Sequence, residues 1–168
     1  EAGLPDGVLN VVYGLGGEVG ECLTKHPAIQ AVSFTGSTLT GKMIAKNCAE
    51  TMKRVHLEMG GKNPNIIFAD CDFEKTLSTT MRASFSNQGQ ICLCGSRIFI
   101  ERPIYEQFKA RLIEKTLALR QGNPEDEATQ QGAIVSEDHF KKILSCLKLA
   151  HKEGGRFLTG GEARKMEG

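Results

Sequence analysis

The chain has 168 residues, of which 40% are hydrophobic and 24% charged, with a formal net charge of +1. This composition is that of an ordinary globular protein, and the near-neutral charge gives no electrostatic reason to expect a nucleic acid or an anionic membrane as partner. No apolar run is long enough to span a bilayer, and no secretory signal opens the chain. The six scattered cysteines therefore predict reduced thiols in the cytoplasm, most of them packing residues.

The first part of the chain alternates short β-rich runs with helical patterns. Strands are predicted over the runs 8–14, 29–36, 53–59 and 63–69. Helices are predicted over 18–26 and 37–50, the second capped by Ser37 or Thr38. This alternation of strand and helix is typical of an α/β fold with a parallel sheet.

Longer helices dominate from residue 70 onward. Helices are predicted over 70–88 with Asp72 as cap, over 104–120 after Pro103, and over 136–155 with Ser136 as cap. Shorter predicted segments are a strand over 97–102, a polar loop over 121–132 and a strand over 156–161. The change of rhythm predicts a domain boundary at Gly60–Gly61 and hence domains 1–60 and 61–168.

Two glycine-rich segments follow predicted strands. In "YGLGGEVG" (13–20), Gly14 and Gly16 match the first two positions of the dinucleotide fingerprint Gly-x-Gly-x-x-Gly, but the third falls on Val19. The fingerprint is not met, and a plain turn is the alternative. In "FTGSTLTG" (34–41), Gly36 would let a ligand approach the backbone, and Ser37 opens a helix whose N–H groups suit a pyrophosphate. A well-capped helix without a ligand explains this segment equally.

Glu58 lies in "HLEMGGKNP", at the end of a predicted strand and just before two glycines. Ligands of open α/β sheets gather outside the carboxyl ends of the strands, so a carboxylate there is placed to act as a general base. A solvated glutamate at the end of an element is the alternative. Its apolar neighbours Leu57 and Met59 argue against that alternative.

Two cysteines stand close together in "SFSNQGQICLCGSRIF" (84–99). A metal site needs about four ligands, and Cys92 and Cys94 supply two. A disulfide between residues so close would be strained. Packing suits Cys94. Cys92 follows the polar "SNQGQ", where backbone N–H groups would lower a thiol pKa and stabilise an oxyanion, so a nucleophile and a packing residue remain equal alternatives.

Four segments carry a resemblance along essentially the whole chain: "FTGSTLTG", "LEMGGKNPNIIFADCD", "NQGQICLCGSRIFI" and "EGGRFLTGGE". In this order they resemble the aldehyde dehydrogenase superfamily, and within it most closely the aminomuconate and hydroxymuconate semialdehyde dehydrogenases. The resemblance implies part of a Rossmann-like cofactor domain over 1–60, followed by part of an α/β catalytic domain over 61–168. It also implies that the chain is an internal piece of a longer protein.

The resemblance further implies NAD(P)-dependent oxidation of a small-molecule aldehyde to a carboxylic acid. Cys92 would be the nucleophile that forms a thiohemiacetal and then a thioester, with its backbone N–H in the oxyanion hole. Glu58 would activate the water that hydrolyses the thioester. The residues implied in cofactor binding are Gly16, Gly20, Gly36, Ser37, Thr40 and Met59. NAD is the expected cofactor, with NADP possible, and no metal is expected.

Family members are much longer, so the piece alone is expected to be inactive, whereas the full-length protein is expected to form a homodimer or homotetramer. Two other functions stay open. One is a catalytically silent relative with a structural or binding role. The other is a CoA-acylating or phosphorylating member, in which CoA or phosphate receives the acyl group. Such members generally lack the base, so Glu58 favours hydrolysis.

Overall fold

A computed structural model describes residues 3–164 and shows two compact units, Glu1–Gly60 and Gly61–Gly168. The boundary between the two units lies at Gly60–Gly61, the position at which the pattern of strands and helices in the sequence changes. That these units are parts of a cofactor domain and a catalytic domain stays a prediction.

The first unit is a strand–helix–strand arrangement preceded by a short helical segment. A π-helical turn over Gly16–Gly20 runs into α1 (Glu21–Lys25), and β1 (Ala31–Gly36), α2 (Thr38–Ala49) and β2 (Arg54–Met59) follow. The two strands pair in parallel, from Ala31 opposite Arg54 to Gly36 opposite Met59. Because side chains alternate along a strand, one face of this sheet carries half-buried apolar residues and the other carries exposed polar ones.

Helix α2 supplies most of the buried core of the first unit. Its Ile44 and Cys48 are buried, and Gly41 lies against β2, where an added Cβ would come 2.7 Å from the Met59 sulfur. Lys53 is also buried, and its Nζ donates to the carbonyl oxygens of His26 and Ile29. A buried ammonium needs such partners, so this lysine ties the turn before β1 to the residue that precedes β2.

The second unit repeats the strand–helix–strand arrangement and adds helices. Its elements are β3 (Pro64–Ile67), α3 (Phe73–Phe85), β4 (Arg97–Ile100), α4 (Tyr105–Leu117) and α5 (Glu137–Lys152). Strands β3 and β4 pair in parallel, and the core consists of Ile67, Leu77 and Phe108. The rings of Phe73 and Phe108 meet edge to face at 5.3 Å between centroids, which joins α3 to α4. Both sheets are parallel strand pairs bridged by a helix, which confirms the α/β prediction.

The predicted helix starts are confirmed by side-chain caps. Ser37, Asp72 and Ser136 each accept a hydrogen bond from the backbone N–H three residues later. These bonds satisfy N–H groups that have no acceptor inside the helix. The long helix predicted over 70–88 ends at Phe85, because Asn87 and Gln88 adopt left-handed φ angles of 49° and 54°. A left-handed residue cannot continue a right-handed helix.

Two predicted strands are wrong. Residues 8–14 form no strand, and Val8, Leu9, Val11 and Val12 are largely exposed. A strand needs a hydrogen-bonding partner, and none of the described residues pairs with this run. Residues 156–161 form no strand either, because Gly160 and Gly161 take left-handed φ angles of 66° and 88°.

The prediction that most cysteines pack is also wrong. All six are free thiols, as predicted, but only Cys48 and Cys94 are buried, while Cys22, Cys92 and Cys146 are exposed. A cysteine on an amphipathic helix can face the core or the solvent, and the amino-acid composition does not determine which. Within residues 3–164 no helix is both long and apolar enough to cross a membrane.

Candidate active site

The parallel pairing of β1 and β2 brings four predicted site residues to one edge of the first sheet. Gly36 lies opposite Met59, Thr35 lies opposite Glu58, and Ser37 follows directly as the cap of α2. Both strands end at this edge, since parallel strands point the same way. It is the edge where α/β sheets bind ligands.

Glu58 projects from the exposed face of the sheet beside a histidine. Its side chain is 62% exposed, and its Oε1 lies 3.3 Å from Nε2 of His56. Nδ1 of the same imidazole lies 3.5 Å from the hydroxyl oxygen of Ser33, its partner across the strand pair. The carboxylate is therefore open to water and lies beside an imidazole. No sequence motif marks His56, although the period of two along a strand puts it on the same face as Glu58.

The start of α2 has the features of an anion site. The Ser37 hydroxyl accepts from the N–H of Thr40 at 3.2 Å, and its oxygen lies 2.9 Å from the Thr40 hydroxyl. The other N–H groups of the first turn have no acceptor inside the helix and carry the positive end of its dipole. These residues fit a pyrophosphate, which would find N–H and hydroxyl donors here.

The glycines near this edge have distinct structural roles. A Cβ on Gly36 would come 2.5 Å from Cζ of Phe34, so a side chain here would require the Phe34 ring to move. Gly16 and Gly20 stand at the two ends of the π-helical turn, where an added Cβ would meet nothing within 4 Å. The tight position is Gly14, where a Cβ would overlap the Val19 side chain.

Cys92 occupies the corner of a β-turn in the second unit. The turn runs from Ile91 to Cys94 and is closed by the Cys94 N–H, which donates to the Ile91 carbonyl at 3.0 Å. Cys92 is exposed, whereas Cys94 is only 7% exposed and anchors the turn in the interior. The structure therefore separates the two thiols as an accessible one and a packing one.

Strained backbone leads into this turn. Asn87, Gln88 and Gly89 follow one another in the left-handed region, with φ angles of 49°, 54° and 74°. Non-glycine residues adopt this region at a cost, and such strain clusters at functional sites. The Gln90 side-chain carbonyl accepts from the N–H of Val135 at 3.3 Å, which helps to hold the segment in place.

Asn63 holds the turn from the opposite side, and sequence reasoning missed it. Its side-chain amide donates to the carbonyl of Cys92 at 2.7 Å and to the carbonyl of Cys94 at 3.2 Å. The partners are 29 and 31 residues away along the chain, so no local pattern connects them. Among the described residues, no group of three or more histidine, cysteine, aspartate or glutamate side chains is placed to bind a metal.

The sequence profile of the aldehyde dehydrogenase family matches residues 1–168, and the chain belongs to this family. It is 46% identical over 166 residues to a 2-aminomuconic semialdehyde dehydrogenase from Danio rerio, covering 99% of this chain and 34% of the relative. It is 48% identical over 160 residues to a 2-aminomuconic 6-semialdehyde dehydrogenase from a Pseudomonas species, covering 95% of this chain and 33% of the relative.

Solved structures show the same fold. The crystal structure of betaine aldehyde dehydrogenase from Staphylococcus aureus in complex with NAD+ superposes with a TM-score of 0.94 at 38% identity, over 98% of this chain and 33% of that one. The chain thus spans about a third of the length of the relatives it matches.

Proposed function

We propose that this chain carries the nucleophile and the base of an aldehyde dehydrogenase that oxidises an aldehyde to a carboxylic acid, with NAD as the electron acceptor. The observation that carries the proposal is the exposed Cys92 thiol at the corner of an anchored turn. Family membership and the NAD+ complex of the Staphylococcus aureus relative support the choice of reaction and cofactor.

In the proposed reaction the Cys92 thiolate attacks the aldehyde carbon, and the carbonyl oxygen becomes an oxyanion near the Cys92 N–H. When bound, NAD accepts a hydride, with two electrons, from that carbon, which leaves a thioester on Cys92. Glu58 then takes a proton from water, and the resulting hydroxide attacks the thioester carbon. The carbon–sulfur bond breaks, which releases the carboxylic acid and regenerates the Cys92 thiolate. Glu58 returns its proton to solvent.

The cofactor would bind through residues at the edge of the first sheet. Ser37 and Thr40 offer hydroxyl groups, and the start of α2 offers N–H groups to the pyrophosphate. Gly16, Gly20, Gly36 and Met59 complete the proposed cofactor set. NADP is the alternative cofactor to test, and we expect a full-length protein to be a homodimer or homotetramer.

The names of the relatives indicate which aldehydes to assay first. They include 2-aminomuconic semialdehyde dehydrogenases and 4-trimethylaminobutyraldehyde dehydrogenase A from Danio rerio, to which this chain is 44% identical over 162 residues. A panel of both substrates and a simple aliphatic aldehyde would separate these specificities in a polypeptide of the relatives' full length.

Thiol labelling tests the nucleophile in the chain itself. Iodoacetamide is added at pH 7, and peptide mass spectrometry follows the alkylation of each cysteine. Cys92 should react at least about tenfold faster than the exposed Cys22 and Cys146, because a catalytic nucleophile is activated by its surroundings. The Cys92→Ser variant should lose this fast phase, whereas the control Cys146→Ser should keep it. Equal rates at the three exposed thiols would contradict the proposal.

A further inference from the structure

We infer that Asn63 is a positioning residue for Cys92, setting the reactivity of the thiol through the backbone of its turn. The inference rests on the proposed function of Cys92 as nucleophile. The side-chain amide of Asn63 has two hydrogens, and it donates to the carbonyls of Cys92 and Cys94 at 2.7 and 3.2 Å. One neutral group thereby holds two peptide planes of this segment, the one that follows Cys92 and the one that follows Cys94.

Asn63 is itself held rigidly. Pro64 follows it and confines its backbone to extended conformations. Its carbonyl accepts from the N–H of Arg97 at 3.2 Å, next to the point where β3 and β4 begin to pair. The Arg97 Nε donates to the neighbouring Lys62 carbonyl at 2.9 Å. The amide therefore extends from a strand end that has little freedom to follow the turn.

The Cys92 carbonyl belongs to the peptide that follows the reactive residue. Holding that carbonyl fixes ψ of Cys92, and with it the direction of the thiol relative to the backbone N–H groups of the turn. N–H groups that point at a sulfur stabilise its attacking form, so a rotated peptide would slow the reaction of Cys92 at neutral pH. The Cys94 N–H donates to the Ile91 carbonyl, and the Cys94 carbonyl also accepts from the N–H of Ser96 at 2.8 Å. Among the described residues, the donor to the Cys92 carbonyl is Asn63.

The substitution Asn63→Asp reverses the chemistry at nearly constant shape. A carboxylate only accepts hydrogen bonds, so its oxygens would repel both carbonyls. Asn63→Ala removes the donor without adding repulsion, and Asn63→Gln keeps an amide on a longer side chain. Asn65→Ala is the matched control. It removes an amide from the same strand region, but that amide donates to the Thr80 hydroxyl at 3.1 Å.

The test measures alkylation of Cys92 relative to Cys146 within the same molecules, at pH 7 and at pH 10. We expect about a tenfold slower relative rate at pH 7 for Asn63→Asp and Asn63→Ala. At pH 10, where thiols are ionised, the rate should stay within about twofold of the unmodified chain. Asn63→Gln should recover most of the rate at pH 7, and Asn65→Ala should not change it.

A purely structural role of Asn63 would lower the melting temperature without this pH-dependent change, and that result would overturn the inference. So would an unchanged ratio at pH 7 in both Asn63→Asp and Asn63→Ala. If Asn63→Asp does not fold, the alkylation rates of Asn63→Ala and Asn63→Gln decide whether the inference holds. The unmodified chain separates the two proposals: a Cys92 no faster than Cys146 refutes the proposed function, whereas a fast Cys92 indifferent to Asn63 refutes only this inference.

Discussion

Glu58 shares the exposed face of its sheet with His56, and their side chains meet at 3.3 Å. Both side chains are more than 60% exposed, so their attraction contributes little to folding and is screened by salt. What the arrangement provides is a carboxylate that water can reach. A change at Glu58 should therefore affect chemistry much more than stability.

We predict that Glu58→Gln stops hydrolysis while leaving the Cys92 thiol able to react. In a polypeptide of the relatives' full length, NADH should form in a burst of about one equivalent per site and then slow by about 10²-fold or more, because the amide cannot take the proton from water. Stopped-flow absorbance measures the burst, and mass spectrometry detects the acyl group on Cys92. Steady turnover at the unmodified rate would contradict the role of Glu58. The control His56→Gln should retain turnover without a burst.

At the scale of single elements, the caps connect stability to ligand binding. Ser37 and Ser136 cap α2 and α5 by the same side-chain bond, with N···O distances of 3.2 Å in both cases. Only Ser37 stands at the edge where β1 and β2 end. The two serines thus form a natural pair for separating the loss of a cap from the loss of a ligand contact.

We predict that Ser37→Ala and Ser136→Ala each lower the free energy of unfolding by about 1 kcal/mol, the usual contribution of a cap. Urea denaturation followed by circular dichroism measures this. Only Ser37→Ala should weaken NADH binding, measured by fluorescence titration in a polypeptide of the relatives' full length. Equal affinities in the two variants would remove Ser37 from the proposed cofactor site.

Local chemistry explains which elements the sequence could predict. The caps at Ser37, Asp72 and Ser136 are signals within one turn of a helix, and all three helix starts were predicted from them. The run 8–14 has the composition of a strand, but pairing is a non-local property and composition does not supply a partner. The left-handed conformations of Asn87 and Gln88 depend on the path of the chain beyond the helix, which the local sequence does not show. The end of α3 was therefore predicted too late.

The candidate site shows the same limit. The local settings of Cys92 and Glu58 made each a candidate with an alternative left open. Their catalytic roles came from the family resemblance and stay predictions. The bonds from Asn63 to the Cys92 turn join residues 29 and 31 positions apart. The only local signal in the sequence around Asn63 is the proline that follows it. No periodicity or spacing predicts such a contact.

At the scale of the whole molecule, the chain spans about a third of the length of its relatives. Its two units each contain a pair of parallel strands in the part that the structure describes, with small buried clusters beside them. The expectation that this chain alone turns over no substrate stays a prediction, as does its location in the cytoplasm. Stability of the second unit depends strongly on a few side chains.

Phe108 is the largest of those side chains and is fully buried against Leu77 and Ile67. We predict that Phe108→Ala lowers the free energy of unfolding by about 3–5 kcal/mol, because it removes buried apolar area and leaves a cavity. Leu117→Ala is the control, since Leu117 lies on the same helix and is 69% exposed. Its effect should stay within about 0.5 kcal/mol. Urea denaturation of the two variants measures the difference, and similar losses would contradict the assigned core.

The close approach of Gly41 to Met59 has a consequence for oxidative damage. Met59 is 37% exposed, so a peroxide can reach its sulfur, yet an added Cβ on Gly41 would already come 2.7 Å from that sulfur. Oxidation to the sulfoxide adds a polar oxygen to an atom with little free space on its helix side. The new oxygen must either turn toward solvent or push α2 away from β2. Peroxide stress would therefore act on the edge of the sheet that holds Glu58 as well as on the thiol.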